Sequence, residues 1–145
     1  MHTLEHSLNQ LLGTTFITYV RTLNYHWNIV GKEFIALHTL LNDQYLLLQI
    51  NIDAIAEHLR MLGKKAPGTC KEFIELSLVK EQINHLPQDM TMIKELVEDH
   101  KVIIKLLNEI IAQAESEKAY DTIDFASGLL GIHAKATWFL NSHLG

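Results

Sequence analysis

The chain has 145 residues, enough for about one domain with its own hydrophobic core. Its net charge of −5 argues against a surface built to bind nucleic acid, and the lone cysteine, Cys70, excludes an internal disulfide framework. No Lys or Arg precedes Arg21, so we expect no signal peptide, and the apolar runs are too short to span a membrane. We therefore expect a single domain over residues 1–145, located in the cytoplasm.

Two long amphipathic helices are predicted in the first half of the chain. Apolar residues recur every three or four positions over residues 3–30 and again over 34–62, which is the spacing of one helix face. A glycine follows each segment, Gly31 and Gly63, and helices commonly end at a glycine in the left-handed conformation. The loop between the two segments is short, so we expect the two helices to be antiparallel neighbours.

A short helix and two further long helices are predicted in the second half. Thr69 followed by Glu72 is a capping-box pattern, which predicts a short helix over about residues 70–79. The helical period then returns over residues 87–114 and 119–140. Because no segment shows strand alternation, the sequence predicts an all-α fold. We expect a four-helix bundle whose long connection between the second and third long helices crosses over and holds the short helix.

The second long helix has a second face besides the one that fits the core. On a helical wheel this stripe is about 120° wide, with Leu46 and Ile50 in its middle. The polar side chains toward its two ends are His38, Gln49, Asn42, Asp53 and Glu57. A solvated face rarely places leucine and isoleucine at its centre, so we interpret this stripe as a contact between subunits.

The spacing along this helix limits how its polar residues can combine. Asp53 and Glu57 project from the same side and repel each other unless a cation lies between them. His38 is about 22 Å from Asp53 along the helix, too far for the two to bind one ion within one chain. Two antiparallel copies related by a two-fold axis would bring His38 of one to the carboxylates of the other. His26 lies on the inner stripe of the first helix. Considered separately, His26 and His38 are each typical of an ordinary core or boundary histidine.

The motifs around these residues resemble those of the Dps family, the mini-ferritins named as DNA-binding proteins from starved cells. They are Asn-Tyr-His-Trp-Asn at 24–28, Phe-Ile-Ala-Leu-His at 34–38 and Asp-Ala-Ile-Ala-Glu-His-Leu at 53–59. Together they match the pattern His-x11-His-x14-Asp-x3-Glu without a gap. The resemblance covers essentially the whole chain. It implies a ferritin-like four-helix bundle with a short extra helix, assembled into a hollow dodecamer.

The resemblance also implies a site and an activity. His26 and His38 of one subunit, with Asp53 and Glu57 of its partner, would hold iron at a two-fold interface as a di-iron or mono-iron site. Fe(II) would be oxidised to Fe(III), preferably by hydrogen peroxide and otherwise by oxygen, and stored as ferric mineral, which protects against oxidative stress. Carboxylates and imidazoles suit iron with open positions for an oxidant, although zinc can occupy the same ligands. Trp27 would act either as an electron donor or as a packing residue only.

Three further positions bear on metal binding. Family members commonly have Asp where this chain has Asn42, so we expect weaker binding of a second iron, or a water in place of the missing ligand. Asp121 and Asp124 open the last helix, where acids favour the helix dipole; in the family, acids in this region line pores that admit iron.

Three alternative functions fit the sequence less well. A DNA-compacting protein with incidental iron binding needs basic tails, which neither end of the sequence offers. The cluster of Arg60, Lys64 and Lys65 is more typical of a solvated loop than of a DNA-binding surface. An intrasubunit di-iron centre needs Glu-x-x-His, and no Glu here has a His three positions later. A pure interaction bundle leaves the His/Asp/Glu set unexplained. We expect His100 and His133 to be buried histidines with satisfied hydrogen bonds.

Overall fold

The computed structural model describes residues 2–145, and the described residues form five α-helices and no strands. The all-α prediction is therefore confirmed. None of these helices combines the length and hydropathy needed to cross a membrane. The helices, in chain order, are α1 (Leu4–Asn28), α2 (Phe34–Met61), α3 (Cys70–Leu76), α4 (Asp89–Ser116) and α5 (Tyr120–Ser142).

The predicted helix ends lie within three residues of the observed ones, and two of the differences have a clear structural cause. The Thr69 cap is confirmed, because its hydroxyl oxygen accepts a hydrogen bond from the Glu72 backbone N–H at 3.2 Å. The first helix stops at Asn28 and not at residue 30, since Ile29 takes an extended conformation and is buried in the core. The short helix stops at Leu76 and not at residue 79, since the backbone of Ser77 is also extended.

The long helices form two hairpins, α1 with α2 and α4 with α5, and α1 also packs against α4. The buried apolar residues fall into two clusters. One contains Leu11, Leu59 and Leu107, and the other contains Leu41 and Ile93. Each long helix contributes apolar residues to both clusters, and buried polar residues lie between these two sets of positions. This polar layer consists of Thr14, Thr15, Thr18, Thr22, Gln44, Asn51, Asp99, His100 and His133.

The connection between α2 and α4 is held tightly against α1. Gly13 allows the close approach of α3, because a Cβ at this position would lie 2.8 Å from the Leu76 Cβ. Arg21 of α1 donates hydrogen bonds to the Asp99 carboxylate at 2.9 and 3.0 Å and to the carbonyl of Lys80 in the connection. Burial raises the pKa of Asp99 to about 6, although the Arg21 charge opposes this shift. These contacts fix the path of the crossover, which leaves one face of α2 uncovered.

Candidate metal centre

His26 and His38 lock each other into one tautomer. His26 lies in the last turn of α1 and His38 in the second turn of α2, and their rings stack with centroids 3.9 Å apart and planes 11° apart. The His26 Nδ1–H donates to the His38 carbonyl at 2.8 Å, and the His38 Nδ1–H donates to the His26 carbonyl at 2.7 Å. A neutral imidazole protonated at Nδ1 keeps a lone pair on Nε2. Both histidines are therefore in the form that a metal-binding imidazole takes, with the other nitrogen bonded to a carbonyl.

Two aromatic residues support this pair, and neither was predicted to contact the site. Phe34 stacks on His38 with centroids 4.9 Å apart and planes 19° apart. Tyr45 contacts His26 at a centroid distance of 5.2 Å. Phe34 precedes His38 by four residues on the same helix, and this spacing was the available signal for the contact. The stack restricts the rotation of His38, so less conformational entropy is lost when its Nε2 binds a ligand.

Asp53 and Glu57 form the second half of the candidate site. Both are exposed on α2, and neither takes part in an ion pair among residues 2–145. The pKa of Glu57 is raised, first by the hydrogen bond that its protonated carboxyl makes with Asp53, then by the Asp53 charge and by partial loss of hydration. Because Asp53 stabilises the protonated form of Glu57, a cation bound between the two carboxylates competes with that proton.

The structure keeps the two halves apart within one chain. His26 and His38 contact each other near the start of α2, whereas Asp53 and Glu57 lie in its second half, about 22 Å further along the helix. In the described part of the chain, no three His, Cys, Asp or Glu side chains come together in a way that could hold a metal ion. Any site that uses all four residues needs a second copy of the chain.

The surface between the two halves is apolar and exposed. Leu46 is 45% exposed, Leu47 37% and Ile50 64%, although a long helix in a bundle normally buries its large apolar side chains. Asn42 is half-buried one turn after His38, at the histidine end of this surface. We refer to Leu46, Leu47 and Ile50 as the α2 face. An exposed apolar surface between two polar ends is typical of a subunit interface.

The remaining predicted residues lie outside these two pairs. Trp27 is 67% exposed at the end of α1, beside His26 in the sequence. Asp121 is exposed in the first turn of α5, and Asp124 is exposed one turn later. The charge of Asp121 acts on the buried His58, whose pKa is lowered by burial and raised in part by Asp121. The structure therefore places Asp121 at the end of the bundle near His58, away from the His26–His38 pair.

Residues 5–145 match the Ferritin-like domain family. The "DNA protection during starvation protein" of Helicobacter pylori is 29% identical over 94% of this chain and 95% of its own length. The crystal structure of a Dps protein from Vibrio cholerae, described as a member of a superfamily of ferritin-like diiron-carboxylate proteins, superposes with a TM-score of 0.92. It is 27% identical over 98% of this chain and 89% of its own. The chain belongs to the Dps family of ferritin-like proteins.

Other relatives of this Dps chain carry less functional information. An uncharacterized low temperature-induced protein of Nostoc is 36% identical over 94% of this chain and 77% of its own length.

The basic cluster of the Dps chain, Arg60, Lys64 and Lys65, is partly occupied by internal contacts. Arg60 donates to the Lys64 carbonyl at 3.1 Å, and the Lys64 ammonium lies 3.5 Å from Glu5. Within residues 2–145, Lys65 is the member of this cluster whose side chain makes neither a hydrogen bond nor an ion pair.

Proposed function

We propose that this Dps chain is the subunit of an iron-oxidising and iron-storing mini-ferritin. In the proposed site, His26 and His38 of one subunit and Asp53 and Glu57 of a second subunit bind Fe(II) at a two-fold interface. The complete particle is a hollow cytoplasmic dodecamer that stores ferric mineral. The observation that carries the proposal is the α2 helix itself, where an exposed apolar face separates a histidine pair, whose Nδ1 atoms are both bonded to carbonyls, from a pair of neighbouring carboxylates.

Two-fold symmetry explains why the half-sites lie at opposite ends of one face. When two copies of α2 pack antiparallel, the centre of the face meets itself and each end meets the opposite end of the partner. Leu46 and Ile50 then become buried, and each histidine pair faces the partner's carboxylate pair. One contact thus creates two identical sites, each with two imidazoles and two carboxylates.

The chemistry of this ligand set suits iron as a substrate. Imidazoles and carboxylates bind Fe(II) and leave coordination positions open for an oxidant, as in other non-haem iron sites. Two Fe(II) ions each give one electron to hydrogen peroxide, whose O–O bond breaks to form two hydroxide ions. The protein supplies the two Nε2 lone pairs and the carboxylates. A proton on Glu57 is displaced when the cation binds.

Asn42 and Asp121 modify this proposal. Asn42 supplies at most a neutral oxygen where an acidic residue would supply a charge, so we propose that a second iron binds more weakly, with water completing its ligands. Asp121 and Asp124 are proposed to attract Fe(II) at an entrance to the particle, because both carboxylates are exposed at the start of α5.

The proposal is tested by anaerobic titration with Fe(II), followed by hydrogen peroxide or air, while the absorbance of Fe(III) is recorded. We expect rapid oxidation in the wild type and its loss in His38→Ala, with no loss in His2→Ala, which changes an exposed histidine outside the site. Zn²⁺ added first should slow oxidation of the wild type, because it competes for the same ligands and has no redox chemistry. An unchanged rate in His38→Ala would refute the assignment.

DNA compaction is not favoured as the main activity. The formal charge of these 145 residues is −5, and phosphate contacts that confer affinity require an excess of accessible Lys or Arg. We expect no mobility shift of linear DNA at neutral pH and moderate salt. A shift under these conditions would restore the alternative.

A further inference from the structure

The polar layer in the middle of the bundle contains a histidine pair that the iron site does not use. His100 of α4 and His133 of α5 are 2% and 1% exposed, and their Nδ1 atoms lie 2.9 Å apart. The ring centroids are 5.1 Å apart, so the two rings face each other through their Nδ1 atoms and do not stack. A metal ion between the two nitrogens would hold them about 4 Å apart in such a line, since each metal–nitrogen bond is about 2 Å. The pair therefore shares a proton and not a metal.

The hydrogen bond between the two Nδ1 atoms fits a neutral pair, in which one ring donates its Nδ1–H and the other accepts with a bare Nδ1. Burial favours this uncharged form of both rings, and their Nε2 atoms face away from each other. Neither Nε2 has a hydrogen-bond partner among residues 2–145. The prediction that both histidines have satisfied hydrogen bonds is thus correct for Nδ1 and wrong for Nε2, because each ring makes a hydrogen bond only to the other ring.

Two amides of α2 share this lack of partners. Gln44 donates from Nε2 to the Ala136 carbonyl at 3.3 Å, but its Oε1 has no partner, and neither does the Nδ2 of Asn51. Gln44, Asn51 and both histidines line one small cavity, whose volume of about 10 Å³ is at the lower limit for one water. The rest of the cavity lining is apolar and comes from Leu47, Leu48, Ile132 and Ala136. Buried polar groups are seldom left unpaired, and the four polar side chains offer an ordered water the partners that it needs.

A route into this cavity begins on the surface. A groove of about 330 Å³ runs between α2 and α5, and Gln44 and Ala136 line both the groove and the cavity. Their hydrogen bond is long, so a small displacement of Gln44 opens the cavity toward the groove. The charged groups lining the groove are Asp43 and Lys135.

We propose that the cavity behind Gln44 binds one water molecule, admitted from this groove, and that the neutral His100–His133 pair beside it makes the bundle sensitive to acid. The water accepts from Asn51 or donates to Gln44 Oε1 and bonds to the nearer Nε2. A proton added to the pair places a charge in the middle of the bundle, where both rings are shielded from water. The acidic neighbour on α4, Asp99, is already paired with Arg21 of α1 and does not compensate that charge.

The pH dependence of the unfolding constant follows from the lowered pKa values of the two buried rings. Burial lowers the pKa of His100 to about 4; burial and the nearby His100 lower the pKa of His133 to about 3. Unfolded histidines bind protons with a pKa of about 6.5, so the unfolded chain binds more protons than the folded chain between pH 6.5 and 4. The stability that the neutral pair provides is complete above pH 6.5 and is lost as the pH falls. Between pH 7 and 5 the pair raises the unfolding constant roughly 500-fold, and His133 alone roughly 25-fold.

Two measurements on the assembled protein test the proposal. A crystal structure at pH 7 should show one water within hydrogen-bond distance of Gln44 Oε1 or Asn51 Nδ2 and of one Nε2. An empty cavity, or a metal ion identified by anomalous scattering, would overturn it. Denaturant unfolding of the wild type, His133→Asn and the surface control His2→Asn is then compared at pH 7 and 5. Asn keeps a polar atom near the position of Nδ1, and it does not titrate.

The proposal predicts that the unfolding constant of His133→Asn rises about 25-fold less between pH 7 and 5 than that of the wild type. His2→Asn should follow the wild type. If His133→Asn and the wild type show the same pH dependence, the acid-sensitive pair is refuted. The crystal structure needs no variant, so the water site remains testable if His133→Asn does not fold.

Discussion

Replacing Ile50 by alanine should weaken the contact between two copies of α2. Ile50 is 64% exposed in the isolated chain, so the proposed interface has most of its surface left to bury. The substitution removes three carbon groups at about 0.8 kcal/mol each when fully buried. Scaled by the exposed fraction, the loss is about 1.5 kcal/mol per subunit. Two-fold symmetry doubles it to about 3 kcal/mol, which corresponds to roughly a hundredfold increase in the dimer dissociation constant.

Sedimentation equilibrium of the wild type and Ile50→Ala measures this change, with far-ultraviolet circular dichroism to confirm that the helices are kept. Ile83→Ala is the matched control, because Ile83 is 95% exposed in the connection between α2 and α4, away from the α2 face. We expect Ile83→Ala to associate like the wild type. Equal association constants for Ile50→Ala and the wild type would refute the placement of the interface.

Three further changes test the ligands. Phe34→Ala removes the ring that stacks on His38, and we expect Fe(II) affinity to fall about tenfold in titrations, as for other residues that orient a ligand, with the helix content unchanged. Asn42→Asp restores a negative charge, so equilibrium titration should show tighter binding of a second iron per site; binding no tighter than in the wild type would contradict its proposed role. The neighbouring Asp53 raises the Glu57 pKa, so metal binding should strengthen as the pH rises through the range in which Glu57 ionises. In that range a pH-stat should record less proton release on metal binding in Glu57→Gln, and equal release would exclude Glu57 as the source.

Helical periodicity was sufficient to predict the fold. The four long helices were visible because each buries an apolar face whose spacing is set by the helix itself. The ends were predicted less well where the chain leaves the helix without a glycine. Ile29 and Ser77 both take extended conformations, and in each case tertiary contacts decided the end, since Ile29 is buried and the Leu78 N–H donates to the Thr14 hydroxyl of α1 at 2.9 Å.

The candidate site was only partly predictable. The spacing of Asp53 and Glu57 along one helix placed their side chains together, and in the structure Asp53 lies close enough to raise the pKa of Glu57. The reciprocal bonds of His26 and His38 join two helices, and no periodicity within one helix encodes them. The His100–His133 pair is hidden for the same reason, because 33 residues separate two rings whose contact depends on how α4 packs against α5.

Mixed assembly of two inactive variants tests most directly whether each iron site is shared between subunits. His38→Ala and Asp53→Ala should each be inactive alone, because every interface then lacks a ligand in both of its sites. When the two are unfolded together and reassembled in equal amounts, a mixed pair has one site with all four ligands intact. Random pairing therefore restores about a quarter of the wild-type sites, measured as the amount of rapidly oxidised Fe(II). If the mixture stays as inactive as its components, the sites are not shared across the α2 face and the proposed mechanism is wrong.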